Sequence, residues 1–291
     1  MNAFFSVLAP CLRRSGAGLL TLCAALMLAS CLPARAHFQM LYPGESLRMH
    51  NSGPLELLAI FTHVFHGSPS MVMGPPKALY VVKQRGGDAK PEKVDLLKQA
   101  EKFDWRGGGR DPVPAYRVAL PANEVRSLGD YVFVLEPEPY LEATEDKYIQ
   151  QFTKTIVNVG GMPGNWDKPV GLPAEIRPLN KPYANWTGGV FRGVVLSRGK
   201  PVPFAEIEVE YVNRKPDFAT KAWTGEQQIS PSHPALGPMS LRADAAGTFS
   251  IALPRAGWWG VAALDVGPVK THKGKKLSQD AVLWVQAFDV K

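Results

Sequence analysis

The sequence predicts an all-β fold of two β-sandwich domains, and three observations predict it. Gly (27) and Pro (26) together make up nearly a fifth of the 291 residues, a frequency that suits many short strands joined by turns and disfavours a helical bundle. Apolar residues gather in short runs, several of which alternate with polar residues at the strand period of two. The length is too great for one ordinary sandwich and fits a leader followed by two domains of about 100–150 residues.

Residues 1–36 read as a secretory leader. Arg13 and Arg14 supply a positive start, Leu19 to Ala29 an apolar stretch too short to span a bilayer, and Ala34-Arg35-Ala36 a small-x-small cleavage site. Cleavage there makes His37 the first residue. Leu28-Ala29-Ser30-Cys31 also fits a lipobox, in which Cys31 would be acylated and begin the mature chain. Cleavage after Ala36 removes all three cysteines (Cys11, Cys23, Cys31), and with them any disulfide or thiolate metal site. It leaves 30 basic and 26 acidic residues, a net charge of +4. That mild balance gives no argument for nucleic-acid binding. No later segment approaches transmembrane length, so a soluble periplasmic protein, peripheral to the membrane at most, is expected.

The first domain is expected over residues 37–180. Leu55-Glu-Leu-Leu-Ala-Ile-Phe61 is a β-rich run that ends in the turn-like Thr62-His-Val-Phe-His-Gly-Ser-Pro69. Further strands are expected at Ala78–Lys83, Ala115–Leu120, Tyr131–Leu135 and Gln150–Val159. Lys93 to Lys102 fits either a short helix or a pair of amphipathic strands. Trp166 to Trp186 carries four prolines (169, 173, 178 and 182) and reads as an ordered linker or boundary strand, because proline cannot donate to a central ladder.

The second domain is expected over residues 181–291. Its strands are Gly189–Leu196, Ala205–Tyr211, a segment ending at Ile251, Gly257–Leu264 and Ala281–Phe288. Ala205-Glu-Ile-Glu-Val-Glu-Tyr211 alternates strictly, which predicts Glu206, Glu208 and Glu210 on an outer face. The order G-x-V, G-x-P-V, A-x-I-x-V, D-x-x-G-x-F and P-x-A-G resembles the carboxypeptidase-regulatory or transthyretin-like Greek-key sandwich. That module serves many functions, so it implies a scaffold and no activity.

The candidate chemistry lies in histidines. A free amino-terminal His37 offers its α-amine and its ring nitrogen to one ion, a chelate suited to Ni²⁺ or Cu²⁺. His63 and His66 form His-x-x-His. On a continuous strand their side chains would face opposite sides, but Gly67, Ser68 and Pro69 place the pair at a strand end, where both imidazoles can converge. Together His37, His63 and His66 define a nitrogen-rich site for Ni²⁺, with Co²⁺ or Cu²⁺ as alternatives. Protons compete for these donors, so affinity is expected to weaken below about pH 6.5. Met71 and Met73 add thioethers that favour Cu(I) or simply fill the core. The acidic stretch from Glu136 through Glu142 to Asp146 can orient a ligating histidine through its second nitrogen. No serine-elbow, metalloprotease or phosphate-loop motif is present.

These residues sit in motifs that resemble a known family. Ala36-His-Phe, Phe61-Thr-His-Val-Phe-His-Gly67, Leu135-Glu-Pro-Glu-Pro-Tyr140, Phe152-Thr-Lys-Thr155, Trp166-Asp-Lys-Pro-Val-Gly-Leu172, Glu208-Val-Glu-Tyr211 and Ala256-Gly-Trp-Trp-Gly-Val-Ala-Ala-Leu264 are similar to the periplasmic nickel-uptake transporter family, also classed as a domain of unknown function. The likeness covers residues 37 to 288. It implies an accessory component of an energy-coupling-factor nickel or cobalt importer, with the membrane transporter subunits as partners and no enzymatic activity. His66 stands where related sequences carry Glu. Two rival readings carry different expectations: a copper-dependent oxidative enzyme built on an amino-terminal histidine brace, and a metal-free envelope binding scaffold.

Overall fold

In the computed structural model the described residues are 37–67, 69–84 and 90–290; the leader and the lipobox fall outside them. Alternating apolar runs become strands, and the helical content among the described residues is three short 3₁₀ turns. The all-β expectation holds. Three sheets stack into a layered sandwich. The widest follows the order Met239–Arg242, Glu206–Tyr211, Gly257–Ala263, Lys275–Phe288, Lys147–Val159, Gly129–Pro137, Pro76–Gln84 and Glu92–Asp95, with short strands paired along it. A second sheet runs Phe38–Tyr42, Leu55–Thr62, Val113–Leu120, Glu101–Trp105, and a third joins Ala174–Pro178, Val190–Ser197 and Thr248–Ala252.

The wide sheet is central and buried on both faces. Along Gly129–Pro137, Val132 and Val134 join the core shared with the third sheet, while Tyr131, Phe133 and Leu135 join the core shared with the second. A third cluster, built on Phe38, Met40, Ile60, Trp258 and Trp284, continues the packing beneath the second sheet. Period-two alternation therefore sends two apolar sets to two different cores, which is why these strands read as nearly continuous hydrophobic runs.

The central sheet takes strands from both sides of the boundary expected at residue 180. The join is a parallel pairing of Lys147–Val159 with Lys275–Phe288, running from Tyr148↔Leu277 to Thr155↔Trp284. Every other pair of long strands in that sheet is antiparallel. The proline-rich stretch supplies Ala174–Pro178 as an edge strand of the third sheet, in keeping with its missing donors. The ambiguous 93–102 stretch resolves into two strand ends around a 3₁₀ turn.

A buried ion pair ties the layers together. Lys154 points from the central sheet into the core and donates to Glu175 at 2.6 Å, with side chains 1% and 2% exposed. Glu175 also accepts the backbone N–H groups of Val170, Gly171 and Leu172. The Trp166–Leu172 motif is thus a loop folded around one carboxylate, and the carboxylate is neutralised by one lysine.

The glutamates of Glu206–Tyr211 correct a second expectation. Glu208 and Glu210 are buried rather than in solvent, and the turn after Leu55–Thr62 lies against Glu210. Glu210 accepts the Phe65 N–H at 3.0 Å, while its other oxygen has no partner. Burial is the main cause that pushes its carboxyl up to about 8 and that of Glu208 up to about 7. The folded state holds a proton that the unfolded chain releases near pH 4.5, so stability falls as pH rises from there to about 8. Glu210→Gln keeps an acceptor for Phe65 and removes the charge. It is expected to raise Tm by roughly 2–4 °C at pH 8–9 and to change little near pH 5. Thermal melts of both proteins across that range check this.

Candidate metal site

The site begins with how the Phe38–Tyr42 strand is held. One edge pairs with Leu55–Thr62, from Phe38↔Thr62 to Tyr42↔Leu58. The other edge is an open row of main-chain groups, and side chains of the central sheet close it. The Gln151 amide oxygen accepts the Gln39 N–H at 2.6 Å, and its NH₂ donates to the His37 carbonyl at 2.6 Å. The Thr153 hydroxyl and the Trp284 indole N–H donate to the Gln39 carbonyl, and the Thr155 hydroxyl donates to that of Leu41. Gln151, Thr153 and Thr155 alternate on one face of one strand. Beneath them Gly260 makes room for Phe38, since a Cβ there would lie 2.8 Å from the Phe38 ring. His37 is fixed at the entrance to a clamped strand.

Clamping the strand in this register sets the His37 ring against that of His63, with centroids 4.4 Å apart and planes tilted by 41°. His63 is buried at the end of Leu55–Thr62, where its carbonyl accepts the Gly67 N–H and closes the turn. Phe61 and Tyr140 flank His37 at 5.6 Å and 6.2 Å. The His37 Nε2 meets the Glu142 carboxylate at 3.2 Å. Glu142 is held in turn by the backbone N–H and hydroxyl of Thr144.

Burial lowers the His37 pKa, against the opposing pull of Glu142, and so favours the neutral ring. Burial alone would raise the Glu142 carboxyl, but the Thr144 hydrogen bonds and the neighbouring His37 and His63 outweigh it and hold the carboxyl low. With Nε2 engaged by a carboxylate, Nδ1 is the nitrogen on the main-chain side. With a free α-amine on His37, that nitrogen would close a six-membered ring on an ion. A carboxylate behind a ligating imidazole is a recurrent outer-shell device.

His66 is half-buried, with its ring edge-on to Phe65 at 5.5 Å and its carbonyl accepting from Gln227. Among the described residues, no three His, Cys, Asp or Glu side chains stand close enough together to hold a metal ion. The expected three-imidazole set of His37, His63 and His66 is therefore not assembled by the side chains as they stand. Met71 and Met73 are buried in the core, and the Met73 sulfur accepts from the Gln39 amide at 3.4 Å. The residues missed in the sequence are the clamp of Gln151, Thr153 and Thr155 and the ring wall of Phe61 and Tyr140. The clamp has a visible signal, a Gln-x-Thr-x-Thr stripe of polar residues on one face of the strand.

Fold and site together define an all-β sandwich protein with a clamped amino-terminal strand that presents paired imidazoles. The family described as a domain of unknown function (DUF4198) matches residues 34–267, and the chain belongs to it. No curated protein matches. Among solved structures, red sea bream transglutaminase is similar at 9% identity and a TM-score of 0.19, over 95% of this chain and 34% of its own. The Bacillus anthracis TIE protein is similar at 9% identity and a TM-score of 0.17, over 94% of this chain and 62% of its own. CfaE, the adhesive subunit of the CFA/I fimbria of enterotoxigenic Escherichia coli, is similar at 12% identity and a TM-score of 0.14, over 89% and 82%. Likenesses at this level define neither the fold nor the chemistry of this chain. Among the described residues no helix is long and apolar enough to cross a membrane.

Proposed function

We propose that this protein is a periplasmic component that binds a transition-metal ion, nickel, on behalf of a membrane importer. One observation carries the reading: the His37 ring packs against His63 while a buried carboxylate takes its Nε2. Removal of the leader after Ala36 frees the α-amine of His37. The ion is then held by that amine, by His37 Nδ1 and by His63, with Glu142 orienting the first ring from behind. Three nitrogen donors suit Ni²⁺, Co²⁺ and Cu²⁺ over hard cations, which prefer oxygen. The strand clamp supports the same reading, since it spends four side chains of the central sheet on fixing residues 37–41. The resemblance to the nickel-uptake family gives nickel precedence and points to importer subunits as partners.

The test is an equilibrium titration of Ni²⁺, Co²⁺ and Cu²⁺ into the chain that begins at His37. Glu142→Gln keeps the shape and removes the charge behind the ring. It is expected to weaken Ni²⁺ binding by about 10-fold, as outer-shell changes do. A wild-type protein that takes up none of the three ions contradicts the reading.

A further inference from the structure

A cleft of about 320 Å³ opens beside the imidazole pair. Phe61 and Tyr140, two of its lining residues, are the two aromatic rings in contact with His37, and they also meet each other edge-on at 5.1 Å. Gln151, which bonds the His37 carbonyl, lines it as well. The cleft and the metal donors therefore share a wall. Most of the remaining lining is apolar, with Met73, Leu141 and Ile149 prominent.

That lining is the wrong surface for a bare hydrated cation, which gains nothing from aromatic and aliphatic walls. It suits a small organic molecule, and its volume lies at the small end of ligand pockets, about 300–1,000 Å³. The donors on the protein are also few. An amine and two imidazoles leave coordination positions on Ni²⁺ for a further nitrogen or oxygen donor. An α-amino carboxylate supplies both atoms in one head group and carries a side chain that can lie in the cleft.

We infer that the cleft seats the apolar side chain of a small amino-acid-like chelator, so that the ion is bound as a chelate rather than bare. This rests on the metal reading above. Val72, at the rim, is 57% exposed, so a larger side chain there can close the cleft without disturbing the core.

The experiment uses the chain beginning at His37 and three probes: Ni²⁺ alone, Ni²⁺ with L-phenylalanine and Ni²⁺ with glycine. The two amino acids share one chelating head and differ in the apolar body. The phenylalanine complex is expected to bind at least about 10-fold more tightly than the glycine complex. Native mass spectrometry should then show a ternary species of protein, nickel and phenylalanine. Val72→Trp should abolish the preference while leaving Tm and the binding of Ni²⁺ alone unchanged. Equal affinities for the two complexes, or a preference that survives Val72→Trp, overturn the cleft assignment and leave the metal site standing. Failure of Ni²⁺ to bind in any of the three forms overturns both.

Discussion

Replacing His37 by alanine, in a chain that still begins at residue 37, is expected to weaken Ni²⁺ binding by about 100-fold or more, close to 3 kcal/mol. The substitution keeps the α-amine and removes the imidazole, so the chelate ring no longer closes and a single-point amine contact remains. It also leaves Glu142 without its imidazole partner at 3.2 Å and His63 without the ring tilted against it. The fold should survive. The strand that follows is held by backbone pairing with Leu55–Thr62 and by Gln151, Thr153, Thr155 and Trp284, none of which needs the His37 ring. A calorimetric titration alongside a thermal melt separates the two effects. Affinity within about threefold of wild type would remove His37 from the ligand set.

The second large effect is one of stability. Lys154→Met is expected to cost about 3–5 kcal/mol, lowering Tm on the order of 10 °C. Lys154 and Glu175 are both almost wholly buried, and the methionine leaves the carboxylate in the core with backbone donors but no cation. A buried pair adds little over an apolar replacement of both partners, yet half of one is costly, because an uncompensated charge stays behind. The loop 166–172, folded around Glu175, should loosen first. Thermal unfolding followed by circular dichroism checks the magnitude, and hydrogen exchange at residues 170–172 checks the location. A loss below about 1 kcal/mol would mean that the three N–H donors alone satisfy the carboxylate.

Much of the fold can be read from local pattern. Leu55–Thr62, Val113–Leu120, Lys147–Val159 and Glu206–Tyr211 all appear where β-rich runs and turn residues put them. What local pattern does not contain is partnership. The parallel seam joins residues about 130 positions apart, and nothing within either strand specifies it. That seam carries one sheet across the boundary expected at residue 180. Glu208 and Glu210 show the same limit. Alternation placed them correctly on the face opposite Ile207, but the turn that meets Glu210 lies 145 positions away in the sequence. The site divides the same way. His37 and His63 were visible as residue types at a chain start and a strand end, whereas their meeting depends on the register Phe38↔Thr62. His66 was grouped with them on spacing and the turn signal that follows it; its ring meets Phe65 and its carbonyl Gln227. Glu142 stood out only as part of an acidic stretch. The hairpin pairing of Tyr140–Glu142 with Lys147–Ile149 is what carries it to His37.

The most direct measurement is a crystal structure of the mature, nickel-loaded protein with the ion located by its anomalous scattering. The account predicts one strong peak bonded to the amino-terminal nitrogen and Nδ1 of His37, with His63 beside it and Glu142 still on Nε2. A peak elsewhere in the molecule, or one on Nε2 with Glu142 pushed aside, would contradict it.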